Sequence, residues 1–276
     1  MSNKTIDTLV DDIYILLASG KADEYLTIVL DTLHRAAENR NKKNGTLRAS
    51  NIGVPCDRKL WYNLQPDIEP EPLEPHVFMK FLTGDVIEAA VLELAKIAGH
   101  TVEREQDTVE VAGIRGHIDA IIDGVLIDVK SASPYAFENK FVKRGLLKDD
   151  PFGYLHQLAL YKKATGVERQ GLLVVHKVLG HIHFMEVFDD ELPDVEQRIE
   201  NLRFVETMQE PPERGFFDEP YGKSGNMVLG VNCSYCEYKH HCWPGLRTFI
   251  GSRGPVFFTK IIREPKMTEV TENEKR

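Results

Sequence analysis

The stretch Gly116-His117-Ile118-Asp119-Ala120-Ile121-Ile122-Asp123-Gly124-Val125-Leu126-Ile127-Asp128-Val129-Lys130 decides the fold. It reads as two adjoining strands, over residues 114–122 and 125–129. Asp123-Gly124 joins them, a dipeptide that favours a two-residue hairpin turn. Ile118, Ala120, Ile121, Ile122, Val125, Leu126, Ile127 and Val129 surround the charged residues with aliphatic surface, so both strands are expected in a core. Side chains alternate along a strand, which puts Asp128 and Lys130 on one face. With Asp119 on the neighbouring strand, two carboxylates and one ammonium converge. An Asp-x-Lys pair on a strand is usually a solvated face. Acids in apolar strands are costly unless paired or metal-bound, and that shifts the balance here. Carboxylate oxygens suit a hard cation such as Mg²⁺ or Mn²⁺. A lysine beside such an ion orients water and offsets charge on a phosphate. The pattern points to metal-assisted phosphodiester hydrolysis.

Upstream, residues 76–98 have the spacing of a long helix, with Phe78, Phe81, Leu82, Ile87, Val91, Leu94 and Ala95 as its apolar stripe. Gly84 and Glu88 lie one turn apart on it. A glycine there admits another backbone, and Glu88 is then either a surface residue or a third carboxylate of the site. Residues 101–111 alternate and are expected to form a strand entering the hairpin. Residues 6–38 read as two helices broken at Ser19-Gly20, followed by a basic linker over 39–46. Residues 50–62 form a turn leading into a short helix, with Cys56 near its start. Residues 66–75 hold four prolines and are an irregular connector.

Downstream, residues 131–151 read as a loop in which Phe137 and Phe141 are interleaved with Lys140, Lys143 and Arg144. Such a loop either stacks bases and holds phosphates, or is pinned to the core by its two rings. Residues 153–164 are a helix placing Gln157 and Tyr161 on one face. Residues 171–177 and 181–188 form another hairpin, residues 192–208 an amphipathic helix, and residues 211–227 a loop. From Ser252 onward the chain reads as a tail with a polar, disordered end.

The 276 residues, 42% of them hydrophobic and 28% charged, suffice for a full core and describe an ordinary globular chain. No apolar run is long enough to cross a membrane. The opening Met1-Ser2-Asn3-Lys4 carries no apolar signal, so a cytoplasmic location is expected, in the host if the chain is phage-encoded. The net charge of −9 excludes a generally basic nucleic-acid coat. Residues 35–64 nevertheless hold seven basic residues, Arg58 and Lys59 among them, against two acidic ones. Local patches of this kind, with Lys140, Lys143 and Arg144, can bind phosphates on an acidic protein. No phosphate-cradling Gly-rich Lys motif is present, so any helicase acting with this chain is another protein.

Three of the four cysteines stand as Cys233-x2-Cys236-x5-Cys242, and the fourth is Cys56. An intracellular chain rarely holds structural disulfides, and a close Cys-x2-Cys favours thiolate chelation. Four thiolates complete either a zinc site or a [4Fe–4S] cluster, and His240 and His241 leave a mixed zinc site open.

Taken together, Gly84…Glu88, Asp119, Asp128-x-Lys130 and Gln157-x3-Tyr161 resemble the RecB-type branch of the PD-(D/E)XK nuclease superfamily. The bracketing cysteines resemble its iron–sulfur-stapled members: the CRISPR-associated exonucleases, the AddB nuclease domain and phage relatives. The resemblance spans Cys56 to Cys242. It implies that Asp119, Asp128 and the Val129 carbonyl hold Mg²⁺ or Mn²⁺, and that Lys130 is the catalytic lysine. Gln157 and Tyr161 would support the active site. Glu88 falls where many members carry a histidine ligand, and a carboxylate there can still bind Mg²⁺. The resemblance also implies [4Fe–4S] rather than Zn²⁺ on Cys56, Cys233, Cys236 and Cys242.

The expected fold is α/β, a central mixed sheet flanked by helices and closed by a four-cysteine staple. The expected domains are an N-terminal helical segment (1–46), the nuclease domain (47–250) and a C-terminal tail (251–276). The expected function is a metal-dependent DNA exonuclease of recombination, repair or replication. Its partners would be single-stranded DNA or duplex ends, no membrane, and a helicase or recombination protein. The rivals are a structure-specific endonuclease or nickase and a non-catalytic DNA-binding recombination partner.

Overall fold

A computed structural model describes residues 4–19, 45–72, 75–252 and 254–270. The longer helices, in chain order, are α1 (Leu9–Ala18), α2 (Asp57–Leu64), α3 (Pro75–Ile97), α4 (Tyr154–Thr165) and α5 (Val195–Thr207). The strands begin with β1 (Val102–Glu103), β2 (Thr108–Val111), β3 (Ile114–His117), β4 (Ala120–Ile122), β5 (Val125–Ala132), β6 (Arg169–His176) and β7 (Ile182–Val187). They continue with β8 (Asp218–Tyr221), β9 (Asn226–Leu229), β10 (Arg247–Gly251), β11 (Gly254–Lys260) and β12 (Thr268–Glu269). No described helix is long and apolar enough to cross a membrane. The chain divides into two compact units, residues 1–54 with 74–203 and residues 55–73 with 204–276.

The first unit is built on a five-stranded mixed sheet in the order β1-β4-β5-β6-β7. β5 runs parallel to β6, and the other neighbours pair antiparallel. The Asp123-Gly124 turn is present. Both residues have positive φ, 49° and 79°, the backbone twist a tight hairpin needs. It sets the register Ala120↔Ile127, Ile121↔Leu126 and Ile122↔Val125. Central strands are covered on both faces and therefore read as continuous apolar runs. Ile122, Val125, Ile127 and Val129 pack with Leu9 and Ile13 of α1 and with Val91, Leu92, Leu94 and Ala95 of α3. Side-chain alternation sends Asp128 and Lys130 to the other face, toward α4.

The structure differs from several expectations. The strand expected over 114–122 is two strands. β3 pairs with β2 in a separate two-stranded sheet, while β4 joins the main sheet. The chain crosses between sheets at Ile118-Asp119, held by Ile118 N–H to Asp107 O (3.1 Å) and Gln106 N–H to Asp119 O (3.2 Å). The strand expected over 101–111 is likewise broken, because Arg104 and Gln106 both take φ of 55°, outside the extended region. Residues 131–151 are not simply a loop. β5 runs on to Ala132, and short helices follow at Pro134–Ala136, Phe137–Val142 and Gly145–Leu147.

On α3, Val91, Leu94 and Ala95 are buried, but Phe78, Phe81 and Leu82 are exposed, so the apolar stripe covers only the helix's second half. A side chain at Gly84 would meet open space among the described residues, so no backbone approaches there. The second expected N-terminal helix and the end of the chain lie outside the described residues.

The second unit holds α2 and a second sheet, β12-β10-β11-β9-β8. It corrects two readings. The region expected as a loop over 211–227 contains β8 and the start of β9. Residues 251–270, expected as a tail, supply β11 and β12, and the 250/251 boundary falls inside β10. Trp61, Tyr62, Val205 and Tyr238 form an aromatic core beside which Cys236 and Cys242 pack.

Candidate active site

Extending the β4–β5 register by one step sets Asp119 opposite Asp128. Asp128 is 1% exposed, and Lys130 Nζ lies 2.6 Å from its Oδ2. That oxygen is paired with the lysine ammonium and also lies in the field of Asp119 and Glu88. Asp119 Oδ2 accepts the Val129 N–H at 2.6 Å. Glu88, from α3, accepts Gln106 Nε2 at 2.5 Å.

These groups share one electrostatic environment. Burial, then Glu88, then Asp128 push the Asp119 carboxyl well above its ordinary value. Burial and then Asp128 likewise raise Glu88, a half-buried residue whose carboxylate lies in the field of Asp128. Burial opposes the charge on Lys130, but Asp128 and then Asp119 outweigh it and hold the ammonium protonated above the usual lysine value. Three carboxylates against one ammonium leave an excess of negative charge in a low-dielectric site, which a cation would relieve.

α4 supplies the opposite wall. Asp150 fixes its start by accepting Gly153 N–H at 2.9 Å and Leu155 N–H at 2.8 Å. Gln157 Nε2 donates to Tyr161 Oη at 3.0 Å. Tyr161 is buried, and its hydroxyl is held protonated by that burial and by the nearby Asp128. Its ring packs on Gly116 of β3. A Cβ there would lie 2.7 Å from Tyr161 Cε1 and 2.4 Å from Ala49 Cβ, so only glycine admits both. The site also includes Tyr154, which the sequence reading missed. Its ring centroid is 4.7 Å from Lys130 Nζ, a cation–π contact. Tyr154 precedes Gln157 by three positions and Tyr161 by seven, so extending that helical stripe back one turn would have found it.

Within the first unit, the expected nucleic-acid residues Phe137, Lys140, Phe141, Lys143 and Arg144 do not present an open aromatic surface. Phe137 and Phe141 are 7% and 3% exposed, with no ring face free for a base; of the two readings of this segment, pinning to the core is the one its burial supports. Lys140 pairs with Asp149, Lys143 lies 3.4 Å from Glu138, and Arg144 lies 2.6 Å from Glu191. In the second unit, Arg58 donates to Pro212 O at 2.8 Å and Lys59 lies 2.9 Å from Glu237.

The structure does not show the four-cysteine staple. All four thiols are free, and among the described residues no three His, Cys, Asp or Glu side chains are arranged as a metal-ligand set. Cys56, Cys233, Cys236 and Cys242 do lie in the same unit. Burial, then the nearby Cys242 and Cys56, push the Cys233 thiol up to about 11.

A family model described as the PD-(D/E)XK nuclease superfamily matches residues 31–243. No curated protein matches the chain. Among solved structures, that of SSO0001 is 15% identical with a TM-score of 0.41, covering 78% of this chain and 94% of its own. An alkaline exonuclease (LHK-Exo) from Laribacter hongkongensis is 16% identical with a TM-score of 0.38, covering 59% of this chain and 89% of its own. The family match takes in Glu88, the β4–β5 hairpin and α4, and the chain belongs to the PD-(D/E)XK nuclease superfamily.

Proposed function

We propose that this chain is a divalent-metal-dependent deoxyribonuclease, acting as an exonuclease on single-stranded DNA or at duplex ends. The observation that carries the reading is the buried Asp119–Asp128–Lys130 group with Glu88 in its field. Its donors fit Mg²⁺ or Mn²⁺ by their chemistry. They are hard oxygens in excess of the available positive charge, with Lys130 the one cation paired to the buried Asp128 among the described residues. Asp119, Asp128, Glu88 and the Val129 carbonyl would hold the ion by drawing closer together, since among the described residues these side chains are not already arranged as a ligand set. Bound there, it would supply Lewis-acid stabilisation of the scissile phosphate and a more acidic water.

The chain's own residues do the rest. Lys130, kept protonated by Asp128, presents a fixed positive charge to the phosphoryl oxygens and cannot serve as the base while so charged. Gln157 and Tyr161 hold each other, and the Tyr161 ring fills the space above Gly116, which fixes α4 against the hairpin. Water is excluded from Asp128 by burial, which strengthens every charge interaction at the site.

End-labelled single-stranded and duplex DNA, incubated with Mg²⁺, Mn²⁺ or EDTA, tests the proposal. Stepwise products with either metal and none with EDTA are expected. Cleavage of circular single-stranded DNA would replace the exonuclease assignment with an endonuclease. Cleavage undiminished in Asp119→Ala or Lys130→Ala would remove the site assignment.

For the four cysteines the reading is a [4Fe–4S] cluster or, as the alternative, Zn²⁺. It is supported by their soft donors and shared unit and set against the unformed ligand geometry. Iron, sulfide and zinc analysis of the purified chain distinguishes these, and absence of all three ends the assignment.

A further inference from the structure

Two successive aromatic contacts lead away from the proposed catalytic ammonium. Tyr154 places its ring centroid 4.7 Å from Lys130 Nζ. Phe152 stacks on Tyr154 with centroids 5.4 Å apart and planes inclined by 26°. Phe152 is 64% exposed, so one ring carries the lysine and the next is open to solvent. Rings two positions apart rarely stack. They do so here because Gly153 between them takes a left-handed φ of 74°, and Asp150 holds that turn through the Gly153 and Leu155 N–H groups. A constrained turn presenting an uncovered phenylalanine beside a buried lysine is a built feature.

We propose that Phe152 and Tyr154 form a stacking platform for a nucleobase flanking the scissile phosphate, which makes an unpaired DNA strand the preferred substrate. The inference rests on the nuclease reading and adds a substrate class to it. Base–ring stacking tolerates any sequence, because every base has a π-face. Within a duplex those faces are covered by neighbouring pairs, and exposing one costs unstacking energy. A strand whose phosphate reaches Lys130 therefore gains from the platform only where its bases are unpaired. Tyr154 is a positioning residue: its ring links the platform to the ammonium.

The test uses the full-length chain and two labelled 20-nucleotide probes, oligothymidine and the same backbone with abasic sites. Binding is read by fluorescence anisotropy in EDTA, so it does not depend on cleavage. Phe152→Ala is expected to weaken oligothymidine binding by about tenfold, the scale of one lost stacking contact. Phe152→Trp should restore it, and the abasic probe should bind both wild type and Phe152→Ala equally weakly. With Mn²⁺, Tyr154→Leu, which removes the ring backing Phe152, should raise KM and lower kcat, and Tyr154→Phe, which keeps the ring, should recover both. Equal oligothymidine binding by wild type and Phe152→Ala would overturn the proposal. So would the same loss on the abasic probe. A wild-type chain that binds with this pattern but cleaves nothing would sink the nuclease reading and leave the platform standing.

Discussion

Replacing Lys130 by methionine is the sharpest perturbation of the proposed site. Methionine keeps most of the apolar stem and removes the ammonium 2.6 Å from Asp128 Oδ2. Asp128 is 1% exposed and Lys130 17%, so solvent cannot take over the lysine's role. Removing one partner of a buried pair costs roughly 3–5 kcal/mol, because the remaining charge is stranded. At about 2–4 °C per kcal/mol for a unit of this size, the melting temperature should fall by roughly 6–20 °C.

The loss should depend on pH, with a definite sign. Asp119 and Glu88 already sit above their ordinary values when folded, so the folded chain binds more protons than the unfolded one in that window. Stability therefore falls as pH rises from the ordinary carboxylate range through those raised values. Without Lys130 both are pushed higher, and the window extends upward. The Lys130→Met deficit should be larger at pH 8 than at pH 5. Thermal melts of both proteins at the two pH values measure it, and cleavage should drop by about a hundredfold or more. A variant melting within a degree of wild type at pH 8 would refute the claim that Lys130 compensates buried acids.

Three further outcomes follow from particular contacts. Glu88→Gln removes one of the crowded buried charges while leaving an acceptor for Gln106, so the melting temperature should rise at pH 8 and not at pH 4; the stabilisation seen on adding Mn²⁺ should shrink in the same melts. Gly116→Ala drives a methyl into Tyr161 and Ala49 and should cost about 1–3 kcal/mol by urea denaturation, with cleavage reduced because Tyr161 moves. Asp150→Ala removes the two N–H contacts that start α4 and should cost about 1 kcal/mol, checked by the urea midpoint.

Much of the first unit is legible from local pattern. The Asp123-Gly124 turn follows from the backbone preferences of two residues, and the pairing of Ile122 with Val125 follows from the turn. Alternation alone places Asp128 and Lys130 on one face, and helical spacing alone places Gln157 beside Tyr161. The second unit is less legible, because β8 to β11 carry or are separated by Pro220, Gly222, Gly225 and Pro255. Such segments carry turn signals and little periodicity, and only pairing with distant strands makes them a sheet.

The sequence by itself determined the hairpin, its register and the charged residues it carries, since these depend on backbone geometry over a few neighbouring positions. Tertiary structure alone decided that Glu88 enters the field of Asp128, that Tyr154 covers Lys130, and that Phe137 and Phe141 turn inward. Each of those outcomes depends on which face another part of the chain covers, and burial by remote residues leaves no mark on local spacing.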